Sequence, residues 1–296
     1  MSKIDLHFHS LYSADGQFSV KDLFDQAQDK GLELIALADH NSVSGVKEAL
    51  SLAPKYPFTY LPGVELDCHY QDTYFHLLAY NIDPYNEEFT KIETRVKEMN
   101  EKNQDLQIAL LRKMGIVIDE EKLRKIYGNK ILVAEDIAEV AIPDPANDQN
   151  FIISHYRKGG DRSDTPAINF YWDLCSGGKP GNVPVTFPEV KEYLALIHAQ
   201  NGKAVIAHPG ANFLDHPENV EAILELGADG LEAYSSYHTK TQCAFWADLA
   251  NKHHKQVTIG SDYHGRTKPH ISLGGVDCPN EKELFKQLKI FFNLPL

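Results

Sequence analysis

The stretch IDLHFH carries His7 and His9 two residues apart inside a run that otherwise reads as a short apolar strand. Residues two apart on a strand point to the same face, so the two imidazoles share one environment. Two bare imidazoles on an apolar face leave nitrogens unsatisfied at about 1–3 kcal/mol each unless something bonds them. One His-x-His fits a metal site or a pair of hydrogen-bonded histidines equally well. The signature recurs, however: LIALADH ends in Asp39 and His40, VIAHP in His208, and TIGSDYH in Asp262 and His264, again two apart. Glu65 in LPGVEL and His76 in TYFHLLAY stand on two intervening strand-like runs. Recurrence at successive strand ends favours one converging site over coincidence.

These residues supply nine nitrogen and oxygen donors. A catalytic zinc keeps about three protein ligands plus a water, so the set implies two to three divalent ions. No cysteine joins it, which favours Mn, Fe or Zn held by imidazole and carboxylate. A carboxylate shared between cations, for which Glu65 is the candidate, could hold two of them ~3.5–4 Å apart with a hydroxide between.

The elements that must position these donors alternate. IDLHFH precedes SVKDLFDQAQDKG, a helical window with Ser19 as its cap and Gly31 as its stop. LELIALADH, the helical SVSGVKEALSLA, and the strands FTYLPGVEL and TYFHLLAYNI follow. From about Pro84 to Gly181 the period turns helical, as in NEEFTKIETRVKEMNEKNQDLQIALLRKMG, with Gly- and Pro-rich loops such as LCSGGKPGNVP. After Phe187 the strand–helix rhythm returns. This order predicts an α/β fold: a distorted, seven-stranded, TIM-like barrel from residues 1–84 and 181–296, its donors at the carboxyl ends of mainly parallel strands. Residues 85–180 read as an inserted helical subdomain, serving as a pocket wall or lid.

DLHFHS with SADG close behind, ALADHN, GVEL, AHPG and GSDYHG resemble, in order, the motifs of the polymerase and histidinol phosphatase (PHP) family of metal-dependent phosphoesterases. The motif set spans Asp5 to Gly265. The helical excursion followed by GGKPGNVP is more similar to the nucleoside-phosphate phosphatase and nuclease branch than to the histidinol phosphatases. The resemblance implies a trinuclear centre. A first metal would take His7, His9, Glu65 and Asp262; a second would share Glu65 and take His76 and His208; a third would take Asp15, His40 and His264. Many relatives carry histidine at the position of Asp15. The implied reaction is hydrolysis of a phosphate monoester, or of a terminal phosphodiester, by a metal-bridging hydroxide that attacks phosphorus. A nucleoside monophosphate or the end of a short oligonucleotide is the favoured substrate, with 5′- and 3′-nucleotidase or exonuclease activity within that class.

Arg157, Lys158, Arg162 and Lys179 in the excursion, and Arg266 after the last motif, are candidate phosphate clamps. Among them Lys179 in GGKPG and Arg266 beside His264 are favoured. His238 in AYSSYH could protonate the leaving oxygen. Where nucleotide-directed relatives follow AHPG with an arginine, this chain has Ala211 and Asn212. Histidinol phosphate is the nearest rival substrate. A non-catalytic PHP module would have lost donors, and an amidohydrolase would be expected to show a strand-end lysine; neither fits this donor set.

A formal net charge of −13 argues against a duplex nucleic-acid or membrane-surface binder, leaving a small phosphorylated partner. Cys68, Cys175, Cys243 and Cys278 show no CxxC spacing and read as free thiols of a reducing compartment. With no apolar run near ~18 residues, the expected location is the cytoplasm.

Overall fold

The structure, a computed structural model, describes residues 2–295. Two compact units partition the chain: one built from the residues up to Glu93 together with those from Phe187 onward, the other from Thr94–Thr186.

The first unit is a mixed α/β fold. Its strands are β1 (Ile4–Phe8), β2 (Leu34–Leu37), β3 (Thr59–Tyr60), β4 (Gly63–Tyr70), β5 (Thr73–Tyr80), β6 (Lys203–Ile206), β7 (Gly230–Ser235) and β8 (Gln256–Gly260). The helix Val20–Asp29 shows how sequence becomes structure here. Its Ser19 cap accepts the Asp22 N–H at 3.1 Å, and Val20, Leu23, Phe24 and Ala27, at one helical face, are buried. That face packs with Phe8, Ile35 and Leu37 in one cluster, so the sheet behind β1 and β2 is dry. Burial of a side chain such as Phe24 contributes about 1.5–3 kcal/mol.

The mixed α/β fold is as expected, while the strand count and pairing differ from a distorted barrel of seven, mainly parallel strands. Among the described residues, eight strands form two sheets, in the orders β1-β2-β3 and β4-β5-β6-β7-β8. The stretch FTYLPGVEL divides at Pro62, which has no N–H to offer a ladder, into β3 and β4. The strand β5 runs antiparallel to both β4 and β6, because a two-residue turn over Gln71 and Asp72 joins β4 to β5 and leaves no room for a crossover. Among the described residues, single parallel bridges link the two sheets: Phe8 to Tyr263, and His40 to Glu65.

The second unit is helical, with the helices Glu120–Tyr127 and Ala134–Ala141 among its elements. Leu111, Ile116, Leu123, Ile137, Ile153 and Phe170 belong to its own core.

Candidate metal centre

The strand ends of the first unit bring the donors together. His7 lies in β1 and His9 just past it; His40 follows β2, Glu65 lies in β4, His76 in β5, His208 follows β6, and Asp262 and His264 follow β8. Two backbones adopt left-handed angles to do so, with φ of +23° at His208 and +56° at Asp262. Each is pinned: the His208 N–H donates to Glu232 Oε2 at 2.9 Å, and the Asp262 N–H to the His7 carbonyl at 2.7 Å. Strained angles of this kind cost about 1–3 kcal/mol and persist where surroundings enforce them.

Four atoms form the innermost group: His7 Nε2, His9 Nε2, Glu65 Oε2 and Asp262 Oδ1. His7 Nε2 lies 3.1 Å from His9 Nε2 and from Glu65 Oε2, and 3.4 Å from Asp262 Oδ1. His9 Nε2 lies 3.2 Å from Glu65 Oε2 and 3.0 Å from Asp262 Oδ1. Ligands bonded tetrahedrally at ~2.0–2.1 Å stand about 3.3–3.4 Å apart, so this spacing suits a cation at the centre. The other Glu65 oxygen, Oε1, faces His76 Nδ1 at 2.9 Å and His208 Nε2 at 3.1 Å. One carboxylate thus serves two groups. Asp15 Oδ2 lies 3.0 Å from His264 Nε2 and 3.9 Å from His40 Nε2, and the His9 and His264 rings stack with centroids 3.9 Å apart.

Burial makes the arrangement costly unless something fills it. Asp15 Oδ1, His40 Nδ1, Glu65 Oε2, Asp67 Oδ1, His208 Nδ1, Asp262 Oδ1 and His264 Nε2 are buried and make no hydrogen bond. Of these, His40 Nδ1, Glu65 Oε2, Asp67 Oδ1, Asp262 Oδ1 and His264 Nε2 lie at ligand spacing from other donors, which fits divalent cations that satisfy several lone pairs at once.

Electrostatics separate the two opening histidines. Burial and the neighbouring His264 and His40 push His9 down to about 4, leaving its ring neutral at pH 7. Burial opposes charge on His7 too, but Glu65, Glu232 and Asp262 together raise its pKa well above the usual imidazole range. Burial resists ionisation of Glu65, yet His7, His76 and His40 hold its carboxyl well below the ordinary range.

Several supporting residues carry no signal that the sequence reading used. Glu232, fully buried on β7, contacts His7 Nδ1 at 3.0 Å through Oε1. A Cβ at Gly260 would stand 2.3 Å from both that Glu232 oxygen and His7 Cβ, so β8 can pass there only as glycine. Asp67 lies two residues from Glu65 and opposite His76, a same-face alternation identical in kind to His7-x-His9. Lys268 Nζ and the Tyr237 hydroxyl both donate to Asp262 Oδ2, at 2.6 and 2.7 Å; Lys268 lies in a loop with no periodicity to betray it.

Two expectations need correction. Asp39 accepts from the Ser10 N–H at 2.6 Å, and from the Ser10 and Ser13 hydroxyls at 2.7 and 3.0 Å; it fixes the loop after β1 rather than joining a donor group. His238 is unsuited to act as the leaving-group acid. Its Nδ1 engages the Ala233 carbonyl at 2.8 Å and its Nε2 accepts the Gly210 N–H at 2.9 Å, so the ring is neutral with both nitrogens occupied. Burial also lowers its pKa.

Of the proposed clamps in the second unit, the two arginines are engaged there. Arg157 donates to the Ile142 and Asp144 carbonyls at 2.7 and 2.6 Å and to Asp148 at 2.6 Å, which spends its whole fork on the local fold. Arg162 binds Asp173 through Nε and Nη2 at 2.8 and 3.0 Å. Lys158 and Lys179 are exposed. In the first unit, the backbone N–H of Arg266 donates to Gln17 Oε1 at 2.7 Å.

Comparison with known proteins places the chain among phosphoesterases. The PHP domain profile matches residues 5–140. The chain thus carries a PHP domain over those residues. Similar proteins include the 3′,5′-nucleoside bisphosphate phosphatase of Chromobacterium violaceum, 26% identical over 96% of this chain and 93% of that protein. A 5′-3′ exoribonuclease of Haemophilus influenzae is also 26% identical, over 88% of this chain and 90% of its own length. A solved structure described as an amidohydrolase from Chromobacterium violaceum shares the fold with a TM-score of 0.77, at 24% identity and 97% coverage of both chains.

Proposed function

We propose that this PHP phosphoesterase removes a terminal phosphate from a small nucleotide or from the end of a short oligonucleotide. The observation that carries this reading is the convergence of His7, His9, Glu65 and Asp262 at ligand spacing, with Glu65 turned through its second oxygen to His76 and His208. The similarity to a nucleoside bisphosphate phosphatase and an exoribonuclease supports nucleotide chemistry. The single bridges between the two sheets support reading them as a distorted, TIM-like PHP barrel. The unpaired cysteines favour a reducing compartment such as the cytoplasm.

In this reading His7, His9, Glu65 and Asp262 hold one cation, and Glu65, His76 and His208 a second. Asp15, His40 and His264 hold a third, the ions being Mn, Fe or Zn. Bound there, divalent cations supply Lewis-acid neutralisation of phosphate oxygens and lower the pKa of water toward neutrality. The protein's part is positional. Glu232 orients His7 and the His208 backbone, Asp39 sets the loop bearing Ser10 and Ser13, and His238 secures the Gly210 N–H of the AHPG turn. Lys268, its ammonium beside Asp262, offers a fixed positive charge to an incoming phosphate.

Purified protein should contain two to three divalent ions per chain and hydrolyse members of a panel of nucleoside 3′,5′-bisphosphates, nucleoside monophosphates and 5′-phosphorylated oligonucleotides. Asp262→Asn and His9→Ala should each remove metal and turnover together. Full turnover in the metal-free protein would sink the reading, and preferential hydrolysis of histidinol phosphate would replace the substrate class.

A further inference from the structure

Building on that metal-centre reading, we propose that Asp67 is an additional metal ligand, forming with His40 Nδ1 and His76 Nε2 a cation position separate from the three that the motif pattern describes. Asp67 Oδ1 lies 3.4 Å from His40 Nδ1 and 3.3 Å from His76 Nε2. Those separations match the edges expected around a cation bonded at ~2.0–2.1 Å. The three residues offer ligand atoms all within 4.8 Å of one another.

The alternative is that Asp67 merely orients a histidine by accepting its ring N–H, the usual carboxylate–histidine arrangement beside a metal. The geometry speaks against it. Both Asp67 Oδ1 and His40 Nδ1 are buried without a hydrogen bond, although each lies within reach of the other. An orienting carboxylate would have closed that contact.

The remaining Asp67 atoms are held as a ligand's would be. Asn41 Nδ2 donates to Asp67 Oδ2 at 2.7 Å, and the Asp67 N–H donates to Asn41 Oδ1 at 3.0 Å. Asn41 itself adopts φ of +51°, placing its amide over β4. This double clamp leaves Oδ1 directed at the two imidazoles. Both rings are already divided between partners: His76 turns Nδ1 to Glu65 and Nε2 to Asp67, while His40 turns Nε2 toward Asp15 and Nδ1 toward Glu65 and Asp67. With cations on both sides, such a ring serves as a bridging imidazolate, its proton displaced by positive charge.

The test is metal stoichiometry, measured on metal-stripped protein titrated with Mn²⁺ or Zn²⁺ and analysed by elemental mass spectrometry. Wild type should bind one equivalent more than Asp67→Ala, while both retain the ions that Asp262→Asn removes. Asp67→Asn keeps the size and an oxygen for Asn41, and should show the same loss of one equivalent with an unchanged thermal midpoint in the metal-free state. Equal stoichiometry at saturation in wild type and both variants, with affinity uniformly weakened, would overturn the proposal and assign Asp67 the orienting role. A wild type that binds no ion at all would instead overturn the metal-centre reading.

Discussion

Lys268 and Asp262 meet across a loop of five residues, with the lysine Nζ 2.6 Å from Asp262 Oδ2 while Asp262 Oδ1 faces His7 and His9. Burial alone would lower the Lys268 pKa, but Asp262 foremost, with Tyr237 and Asp15, holds it above the ordinary range. The ammonium is therefore charged at any working pH. Because Tyr237 also grips Oδ2, the carboxylate stays oriented when the lysine is removed. Lys268→Met should leave metal content unchanged and lower kcat/KM for phosphate esters about 10–100-fold, the value of a charge-assisted contact of ~1.5–3 kcal/mol. Steady-state kinetics beside metal analysis will decide; loss of metal in this variant would make Lys268 a support of the ligand instead.

Metal binding should release protons. Burial disfavours charge on His40, but Glu65, Asp67 and Asp15 outweigh it and lift the pKa to about 10. At pH 7 the free ring carries a proton that a coordinating cation must displace. Apparent metal affinity should therefore rise with pH through neutrality toward about 10. Calorimetric titration in buffers of different ionisation enthalpy measures the protons released per ion, and a value of zero would contradict this account.

Acid should destabilise the fold partly through His238. Burial lowers its pKa in the folded chain, whereas the unfolded chain protonates near ~6.5. As pH falls below that value the unfolded state binds a proton the folded state refuses, so stability present above ~6.5 is lost on acidification. His238→Gln can still donate to the Ala233 carbonyl and accept from the Gly210 N–H. It should match wild type near pH 8 and lose less stability between pH 6.5 and 5, as read from denaturant midpoints at equal metal loading.

Arg157→Ala should weaken the second unit without altering phosphate recognition. The guanidinium bonds two carbonyls and Asp148 there and is partly exposed, so the expected loss is about 1–2 kcal/mol. Arg157→Lys should recover little of it, since a point charge cannot replace the planar fork. A raised KM for a small phosphate ester with unchanged stability would restore Arg157 as a clamp.

Much of the centre can be read from sequence because strand geometry makes it periodic. His7 and His9, or Asp262 and His264, face one way by the two-residue repeat, and each pair ends an apolar run. The same repeat relates Glu65 to Asp67, yet Asp67 opens DCHY, where the apolar pattern has already lapsed, and it passes for a strand tip. Lys268 and Glu232 escape for different reasons. A loop lysine has no period, and a lone buried acid on β7 declares itself only when His7 and the His208 N–H are seen against it. His238 misleads because proximity to a strand end says nothing about which backbone groups fill its nitrogens. The antiparallel β5 is hidden as well, since Gln71 and Asp72 lack the Asn-Gly pattern that marks a hairpin.

The donor groups also differ in when a growing chain can complete them. The innermost group waits for Asp262, the group around Glu65 Oε1 waits for His208, and the group of Asp15 and His40 waits for His264. Among the described residues, the group of His40, Asp67 and His76 is complete once the first 76 residues exist. A chain translated through β5 would thus hold all three donors of that proposed position, whereas the other groups would still lack donors that follow β6 or β8.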